Sequence, residues 1–236
     1  MGIDGRGTAD RRAEIHRKRG DRDMNDHGEL VIFGAGGHAA VVADAAVAAG
    51  FVVSGVLESP RSTSEGAPPF GGVPWLGDPD DPAESLTDLI SRGARIHAAV
   101  GDAAARRRWL ESRLDAAATI IHPSAIVSPS ATIGPGVFVG PRAVVNARAL
   151  LETGAIVNTG AIIEHDAWVG AFGHAAPASV LLGAARLGEA ALLGGGSVVL
   201  PGIEIGAGST VGAGSTVTRP VSAGDTVWGT PARASR

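Results

Sequence analysis

Branched aliphatic residues recur at every sixth position through the second half of the chain. From Ile121 to Val217, 17 positions follow this spacing, and all but Ala175 hold Val, Ile or Leu. Alanine or serine stands four positions after most of them. A six-residue period is typical of hexapeptide solenoids, in which each hexad forms one side of a triangular prism. Three hexads close one coil of 18 residues, so the pattern predicts a parallel β-helix of nearly six coils with the aliphatic side chains inside.

Before this repeat, short apolar segments alternate with segments of helical periodicity. Strands are predicted for LVIFG, FVVSGVLES and IHAAVGD. Helices are predicted for HAAVVADAAVAAG, for a stretch that starts at Asp81 and Pro82 and ends near Gly93, and for DAAARRRWLESRL. Residues 60–79, rich in Pro, Gly and Ser, are predicted to form a loop. Strands that alternate with helices over ~90 residues predict a small parallel sheet.

These patterns divide the chain into four parts. Residues 1–27 mix charges of both signs with almost no apolar residues, which predicts a disordered tail. Residues 28–118 are predicted to form a small Rossmann-like α/β domain. Residues 119–222 are predicted to form the β-helix, and residues 223–236 a C-terminal extension. The predicted fold class is therefore mainly β, with a parallel β-helix preceded by the small α/β domain.

Composition excludes several classes of function. Glycine accounts for 35 of the 236 residues and aromatics for only 4%, so the core must be packed from small side chains. The absence of cysteine excludes disulfides, thiolate metal sites and a cysteine nucleophile. A net charge of -4 argues against a nucleic-acid partner. Because no apolar run reaches the ~18 residues of a membrane span, we expect a cytoplasmic protein with no membrane partner.

Residues that break the hexad pattern are candidates for chemistry. His165 occupies a place that other hexads mostly fill with Pro, Gly, Ala or Thr, and the 18-residue coil stacks it against Gly183. This pairing sets a potential base beside a residue with no side chain, which leaves room for a substrate and exposes a backbone N–H. The next column, Pro177, Gly195 and Ala213, is almost free of side chains. It offers space for a long thin ligand such as a pantetheine arm.

A second candidate site lies in the α/β domain. The segment GAGGHA, from Gly34 to Ala39, fits the Rossmann glycine fingerprint, and Glu58 ends the second strand where a ribose-binding acid would lie. The ~90 residues supply one β/α half of a dinucleotide fold, so a mononucleotide-sized ligand fits better than NAD. Glycine amides and a helix N-terminus can cradle a diphosphate. The glycines could instead serve only to turn the strand into the helix.

Together, GAGGH, the run NTGAIIEHDAWVGAFGHAAPAS and the final WGTPAR resemble the bacterial sugar acyltransferases of the sialic acid O-acetyltransferase family. The resemblance is closest to the nucleotide-sugar 4-amino N-acetyltransferases of the PglD type. It spans about Leu30 to Arg233. It implies a left-handed β-helix, a homotrimer with active sites between subunits, and acetyl-CoA as the donor. No metal is expected.

The resemblance also assigns roles to individual residues. His165 matches the general base, Asp166 the carboxylate that raises its basicity, and Gly183 the N–H donor to the oxyanion. In the family, Glu is usual where this chain has Asp166. The acetyl-CoA contacts fall on His174, Gly195 and Ala213. The nucleotide-sugar contacts fall on Gly36, Gly37, His38, Glu58, Ser59 and Gly101. The chain departs from the family at two of these positions, since two aspartates are found where it has Glu58 and Ser59.

The leading hypothesis is an acetyl-CoA-dependent N-acetyltransferase that acts on a nucleotide-linked 4-amino-4,6-dideoxysugar. An O-acetyltransferase of the sialic acid type is an alternative, because one histidine can activate either an amine or a hydroxyl. A non-catalytic β-helix that binds a nucleotide sugar is a third possibility.

Overall fold

The computed structural model describes residues 28–58, 72–82 and 84–234. The predictions made for the tail at 1–27, for most of the loop at 60–79 and for Ser59 fall wholly or largely outside these residues. Within the described residues, a small α/β domain precedes a solenoid of about six turns. The predicted fold class is thus confirmed.

The α/β domain is built on a three-stranded parallel sheet. Its strands are β1 (Glu29–Phe33), β2 (Val52–Leu57) and β5 (Arg95–Ala98), in the order β2-β1-β5. The helices are α1 (Gly37–Ala48), α2 (Glu84–Ser91) and α3 (Ala103–Leu110), and a 3₁₀ turn follows at Glu111–Arg113. Asp102 caps α3, since its carboxylate accepts the Ala105 N–H at 2.7 Å.

The start predicted for the second helix is wrong. Asp81–Pro82 forms a short strand, β4, that pairs antiparallel with β3 (Gly77–Asp78). The turn between them is closed by the Asp78 side chain, which accepts the Asp80 N–H at 2.9 Å. Asp81 and Pro82 therefore belong to the second strand of this hairpin, and α2 begins only at Glu84.

The β-helix consists of 17 two-residue strands on three faces. The first face contains Ile120–Ile121, Phe138–Val139, Ile156–Val157, His174–Ala175, Leu192–Leu193 and Thr210–Val211. The second face contains Ile126–Val127, Val144–Val145, Ile162–Ile163, Val180–Leu181, Val198–Val199 and Thr216–Val217. The third face contains Thr132–Ile133, Leu150–Leu151, Trp168–Val169, Arg186–Leu187 and Glu204–Ile205. We number these strands β6 to β22 in chain order.

The second residue of each strand points into the prism, as the six-residue period predicts. From Val139 to Val211 these residues are fully buried, including Ala175. Parallel pairing places residues 18 apart in the chain next to each other, so that Val145 lies between Val127 and Ile163. The stack of aliphatic side chains forms one continuous core.

Three corners join the faces. The turns from second-face to third-face strands, which include His165 and Asp166, form what we call the His165 corner. The turns from first-face to second-face strands, with Pro177, Gly195 and Ala213 in one column, form the Gly195 corner. The two columns that the sequence places side by side are therefore separated by the whole second face.

The α/β domain packs against the outer side of the first face. There the outward side chains of Ile120, Phe138 and Ile156 are buried with Leu30 and Ile32 of β1. Among the described residues, the β-helix ends in a hairpin of β23 (Thr226–Gly229) and β24 (Ala232–Ala234), which continues the first face. None of the helices described here is long and apolar enough to cross a bilayer.

Arg106 ties the two parts together. The side chain is 1% exposed, although it stands in the basic run of α3. Its Nε donates to the Gly154 carbonyl at 3.1 Å and its Nη1 to the Gly101 carbonyl at 2.6 Å. It also donates to the carbonyls of Val100 and Phe172. Because Gly154 and Phe172 belong to the β-helix, one guanidinium bridges both domains.

Candidate active site

His165 stands out from the surface of the corner that bears its name. Its side chain is 61% exposed. The ring Nδ1 lies 3.0 Å from Oδ2 of Asp166, so the side chains of these neighbours in sequence meet at the corner. The contact is possible because Asp166 adopts a left-handed backbone conformation with φ 61°, which turns the chain sharply after His165.

The Asp166 carboxylate also binds Arg148, which occupies the same corner one coil earlier. Arg148 Nε and Nη2 donate to Oδ1 and Oδ2, both at 2.7 Å. Hydrogen bonds from Arg148 and then from His165 hold the pKa of Asp166 well below its usual range. The carboxylate is therefore ionised at neutral pH and accepts the proton on Nδ1 of His165. This arrangement leaves Nε2 of His165 as the free acceptor that a general base needs.

Gly183 lies against the His165 ring from the next coil. A Cβ placed at Gly183 would be 2.7 Å from both Cε1 and Nε2 of the imidazole, so the ring occupies the space that any side chain here would need. The Gly183 carbonyl accepts the Gly202 N–H at 3.0 Å. Among the described residues the Gly183 N–H donates to no acceptor, which leaves it available to a ligand.

His174 lies on the outer side of the first face, where the α/β domain meets the β-helix. Its Nε2 is 3.2 Å from Nδ2 of Asn158. Because Oδ1 of Asn158 accepts the Thr159 N–H at 2.8 Å, the amide nitrogen must face the histidine and donate to it. His174 then carries its proton on Nδ1. The sequence reasoning assigned no role to Asn158, although it begins the run that carries the resemblance.

A cleft of ≈ 510 Å³ opens beside His174. It is lined by α3 residues, by Gly101 and by Phe172 and Leu192 of the β-helix. A Cβ at Gly101 would lie 4.0 Å from the His174 ring, and the ring of His38 lies 6.2 Å from it, centre to centre. The structure thus brings a predicted acetyl-CoA contact together with two predicted nucleotide-sugar contacts.

The glycine loop before α1 is open to solvent. No atom lies within 4 Å of a Cβ placed at Gly36 or Gly37, so a ligand can approach the backbone closely. The Glu58 carboxylate accepts the Ala35 N–H and so fixes the loop that precedes the helix. Gly34, with φ 110° and the Val100 side chain close by, makes the tight turn that leads into it.

The predicted site residues fall into three places within one chain. His165, Asp166 and Gly183 share the His165 corner. His174 and the α/β-domain residues share the first face, which lies opposite that corner in a three-sided prism. Gly195 and Ala213 occupy the Gly195 corner, between these two places. Across the described ranges, no cluster of three potential metal ligands is found.

Burial lowers the pKa values of three histidines near the domain junction. The pKa values of His38 and His97 fall to about 4 and that of His174 to about 3. Desolvation is the main cause in each, and the Arg106 charge contributes. All three rings are neutral at pH 7.

Acid should therefore loosen the domain junction. In the unfolded chain these histidines titrate near pH ~6.5, so between pH ~6.5 and ~4 the unfolded state binds more protons and stability falls as the pH drops. We expect the melting temperature to be clearly lower at pH 5 than at pH 7.5. Over this range each histidine should lower the free energy of unfolding by up to about 2 kcal/mol. His97→Gln should reduce this difference. Equal melting temperatures at the two pH values would contradict the buried neutral state.

Comparisons with known proteins agree with this architecture. Residues 29–112 match the PglD N-terminal domain, and residues 184–219 match the bacterial transferase hexapeptide (six repeats). No curated protein matches the chain significantly.

Solved structures match over most of the chain. The acetyltransferase domain of PglB from Neisseria gonorrhoeae is 34% identical, with a TM-score of 0.75 over 88% of this chain and 99% of that one. PerB from Caulobacter crescentus, solved with CoA and GDP-perosamine, is 37% identical, with a TM-score of 0.79 over 89% of this chain and 98% of that one. By this likeness over nearly the whole of both proteins, the chain belongs to the PglD-type family of hexapeptide-repeat sugar acetyltransferases and is an acyltransferase.

Proposed function

We propose that this protein transfers the acetyl group of acetyl-CoA to the amino group of a nucleotide-linked 4-amino-4,6-dideoxysugar, with His165 as general base. The observation that carries the proposal is the His165 ring, held through Nδ1 by an ionised Asp166 with Nε2 beside the Gly183 backbone. The related PerB supports the substrate class, because it was solved with CoA and GDP-perosamine. Structures of two variants of that enzyme, each with one histidine replaced, also contain both ligands.

The geometry of the His165 corner suits acyl transfer. Nε2 of His165 takes the proton that the sugar amine loses as it attacks the thioester carbonyl. Asp166 stabilises the imidazolium that results. The Gly183 N–H can donate to the carbonyl oxygen as negative charge develops there. The proton on the imidazolium is then available to the departing thiolate, so that the thiol leaves neutral and His165 returns to its starting state.

Each ligand has a surface that fits it. The exposed Gly36 and Gly37 amides at the N-terminus of the 12-residue helix α1 suit the diphosphate of a nucleotide sugar. His38 follows this loop and its ring lies 6.2 Å from that of His174, beside the cleft that Gly101 lines. Gly195 and Ala213, which have little or no side chain, provide a smooth corner for the pantetheine arm.

We propose a homotrimer as the active form. One chain places His165 and His174 on opposite sides of its prism, so a second chain must bring its own surface up to the His165 corner. A sedimentation mass three times the 23.6 kDa of the chain is expected. A fully active monomer would contradict the shared site.

The test of the function is a thiol-release assay with acetyl-CoA and a panel of UDP-, GDP- and dTDP-linked 4-amino sugars. The same sugars with a hydroxyl in place of the amine serve as matched controls. Turnover confined to the amines supports the proposal. Turnover with the hydroxyl sugars would indicate an O-acetyltransferase, and no turnover with any acceptor would indicate a binding protein.

Substitution at Gly195 tests the donor surface. A Cβ at Gly195 meets only the Pro177 carbonyl oxygen, at 3.2 Å, so a side chain can be accommodated without entering the core. Gly195→Leu should raise the KM for acetyl-CoA by about tenfold or more, because the added side chain fills the arm's path. Thermal stability and nucleotide-sugar affinity should change little. Normal acetyl-CoA kinetics in a folded trimer would show that the donor binds elsewhere.

A further inference from the structure

Arg148 makes a two-pronged contact with Asp166 across one coil. Its Nε and Nη2 each lie 2.7 Å from a different carboxylate oxygen, which is the parallel geometry that an arginine fork favours. The contact follows from the coil length, because the two residues are 18 apart and occupy the same place in successive turns. Such a pair fixes both the position and the plane of the carboxylate.

The plane of the carboxylate matters because one oxygen is shared. Oδ2 of Asp166 accepts from Arg148 and also lies 3.0 Å from Nδ1 of His165. Without the guanidinium, the carboxylate on this exposed corner would be free to rotate and bond to water. The imidazole would then lose the acceptor that keeps its proton on Nδ1.

We propose that Arg148 is the positioning residue of the general base, holding Asp166 in the orientation that keeps Nε2 of His165 unprotonated and directed at the substrate. This inference rests on the proposed function of His165. Arg148 then has two opposing effects. Its guanidinium orders the carboxylate, and its positive charge offsets part of the negative charge that stabilises the imidazolium.

The charges around His165 are few among the described residues. Glu164 accepts the His165 backbone N–H at 3.3 Å, Asp166 faces Nδ1, and Arg148 acts through Asp166. The coils on either side contribute Ala147 and Gly183 to the same column, and neither is charged. A change at Arg148 should therefore be felt at His165 through the carboxylate.

The chain offers a close control. Arg142, like Arg148, has φ 59° and donates its backbone N–H to a serine Oγ one coil earlier at 3.1 Å. It lies in a turn two coils before Pro177, however, outside the column of Pro177, Gly195 and Ala213 proposed for the donor, and Gly160 rather than a carboxylate occupies the corresponding place in the next coil. Arg142→Ala thus reproduces the loss of an exposed corner arginine without the loss of an aspartate contact.

We expect Arg148→Ala to lower kcat for acetyl transfer about tenfold, with the KM for acetyl-CoA within twofold of wild type. The acid limb of the kcat/KM profile should move to higher pH, because the remaining Asp166 charge is no longer offset. Arg148→Lys should restore the acid limb but only part of kcat, since lysine keeps the charge and lacks the fork. Arg142→Ala should have a kcat within twofold of wild type and an unshifted acid limb.

A second measurement does not depend on turnover. In ¹⁵N spectra of the imidazoles, His165 of the wild-type protein should be protonated at Nδ1, and Arg148→Ala should show a mixture of tautomers. Arg148→Ala with unchanged kcat, pH profile and tautomer would overturn the proposal, even if His165→Ala is inactive. If wild type releases no thiol, the proposed function fails, and the tautomer measurement still decides the role of Arg148.

Discussion

Replacing His165 by alanine is expected to lower kcat by ~10²- to 10⁴-fold, because it removes the group that we propose takes the proton from the attacking amine. The ring packs on Gly183 and otherwise projects from the corner, so its loss should leave the fold and the affinity for acetyl-CoA nearly unchanged. Steady-state thiol release together with calorimetric titration of acetyl-CoA separates these two effects.

His122→Ala is the matched control, since His122 is another histidine of the β-helix and its ring bonds only to the nearby Ser124 among the described residues. It should retain wild-type turnover. The kcat of Asp166→Asn should lie between those of His165→Ala and His122→Ala, because an amide can still contact Nδ1 but carries no charge. Turnover near the wild-type rate in His165→Ala would remove the base from the mechanism.

Replacing Arg106 by methionine is expected to lower the free energy of unfolding by about 3 kcal/mol, which is typical of removing one partner of a buried charged network. The change leaves four carbonyl groups, two of them on the β-helix, without their donor. Burial already lowers the pKa of Arg106 to about 10. The buried guanidinium therefore depends on the surrounding carbonyl groups to stabilise its charge. Urea unfolding followed by tryptophan fluorescence would measure the loss.

Arg107→Met provides the comparison for this experiment. Arg107 is next to Arg106 on α3, but its side chain is 37% exposed and pairs with Glu189 and Glu111 at the surface. Its loss should cost less than about 1 kcal/mol. Equal destabilisation by the two substitutions would mean that the four carbonyl contacts add nothing to the junction.

The β-helix was accessible from sequence because its packing rule is local and repeated. Each hexad must present one aliphatic residue to the same axis, so the inward positions and the 18-residue stacking of Gly183 on His165 could be read directly. The strands of the α/β domain were accessible for a similar reason, since buried parallel strands are short apolar runs.

Other features depend on how distant parts of the chain meet. Arg106 lies in the run ARRRW, which resembles a solvated helix face, and only the docking of α3 on the β-helix buries it. The proximity of His38 to His174 likewise arises only when the α/β domain packs on the first face of the β-helix. By contrast, the pairing of Arg148 with Asp166 is visible in the sequence, because the two opposite charges lie one coil apart at the same corner. The helix predicted to start at Asp81 begins later because Asp81 and Pro82 pair with Asp78 and Gly77 in a short hairpin, which a reading of helix caps alone does not reveal.

Because its coils are uniform, the solenoid can change in length only by fixed increments. From Ile120 to Val217 each coil adds 18 residues and advances the axis by one strand spacing of ~4.8 Å, as the pairing of Val144 with Ile126 and Ile162 illustrates. Inserting one hexad between His165 and Gly183 would move every later residue to the next corner and so separate Gly183 from His165. Inserting a whole coil after Gly183 would keep both in place and move the C-terminal hairpin away by one step. A protein of this kind can therefore change the length of ligand it spans only in increments of a whole coil.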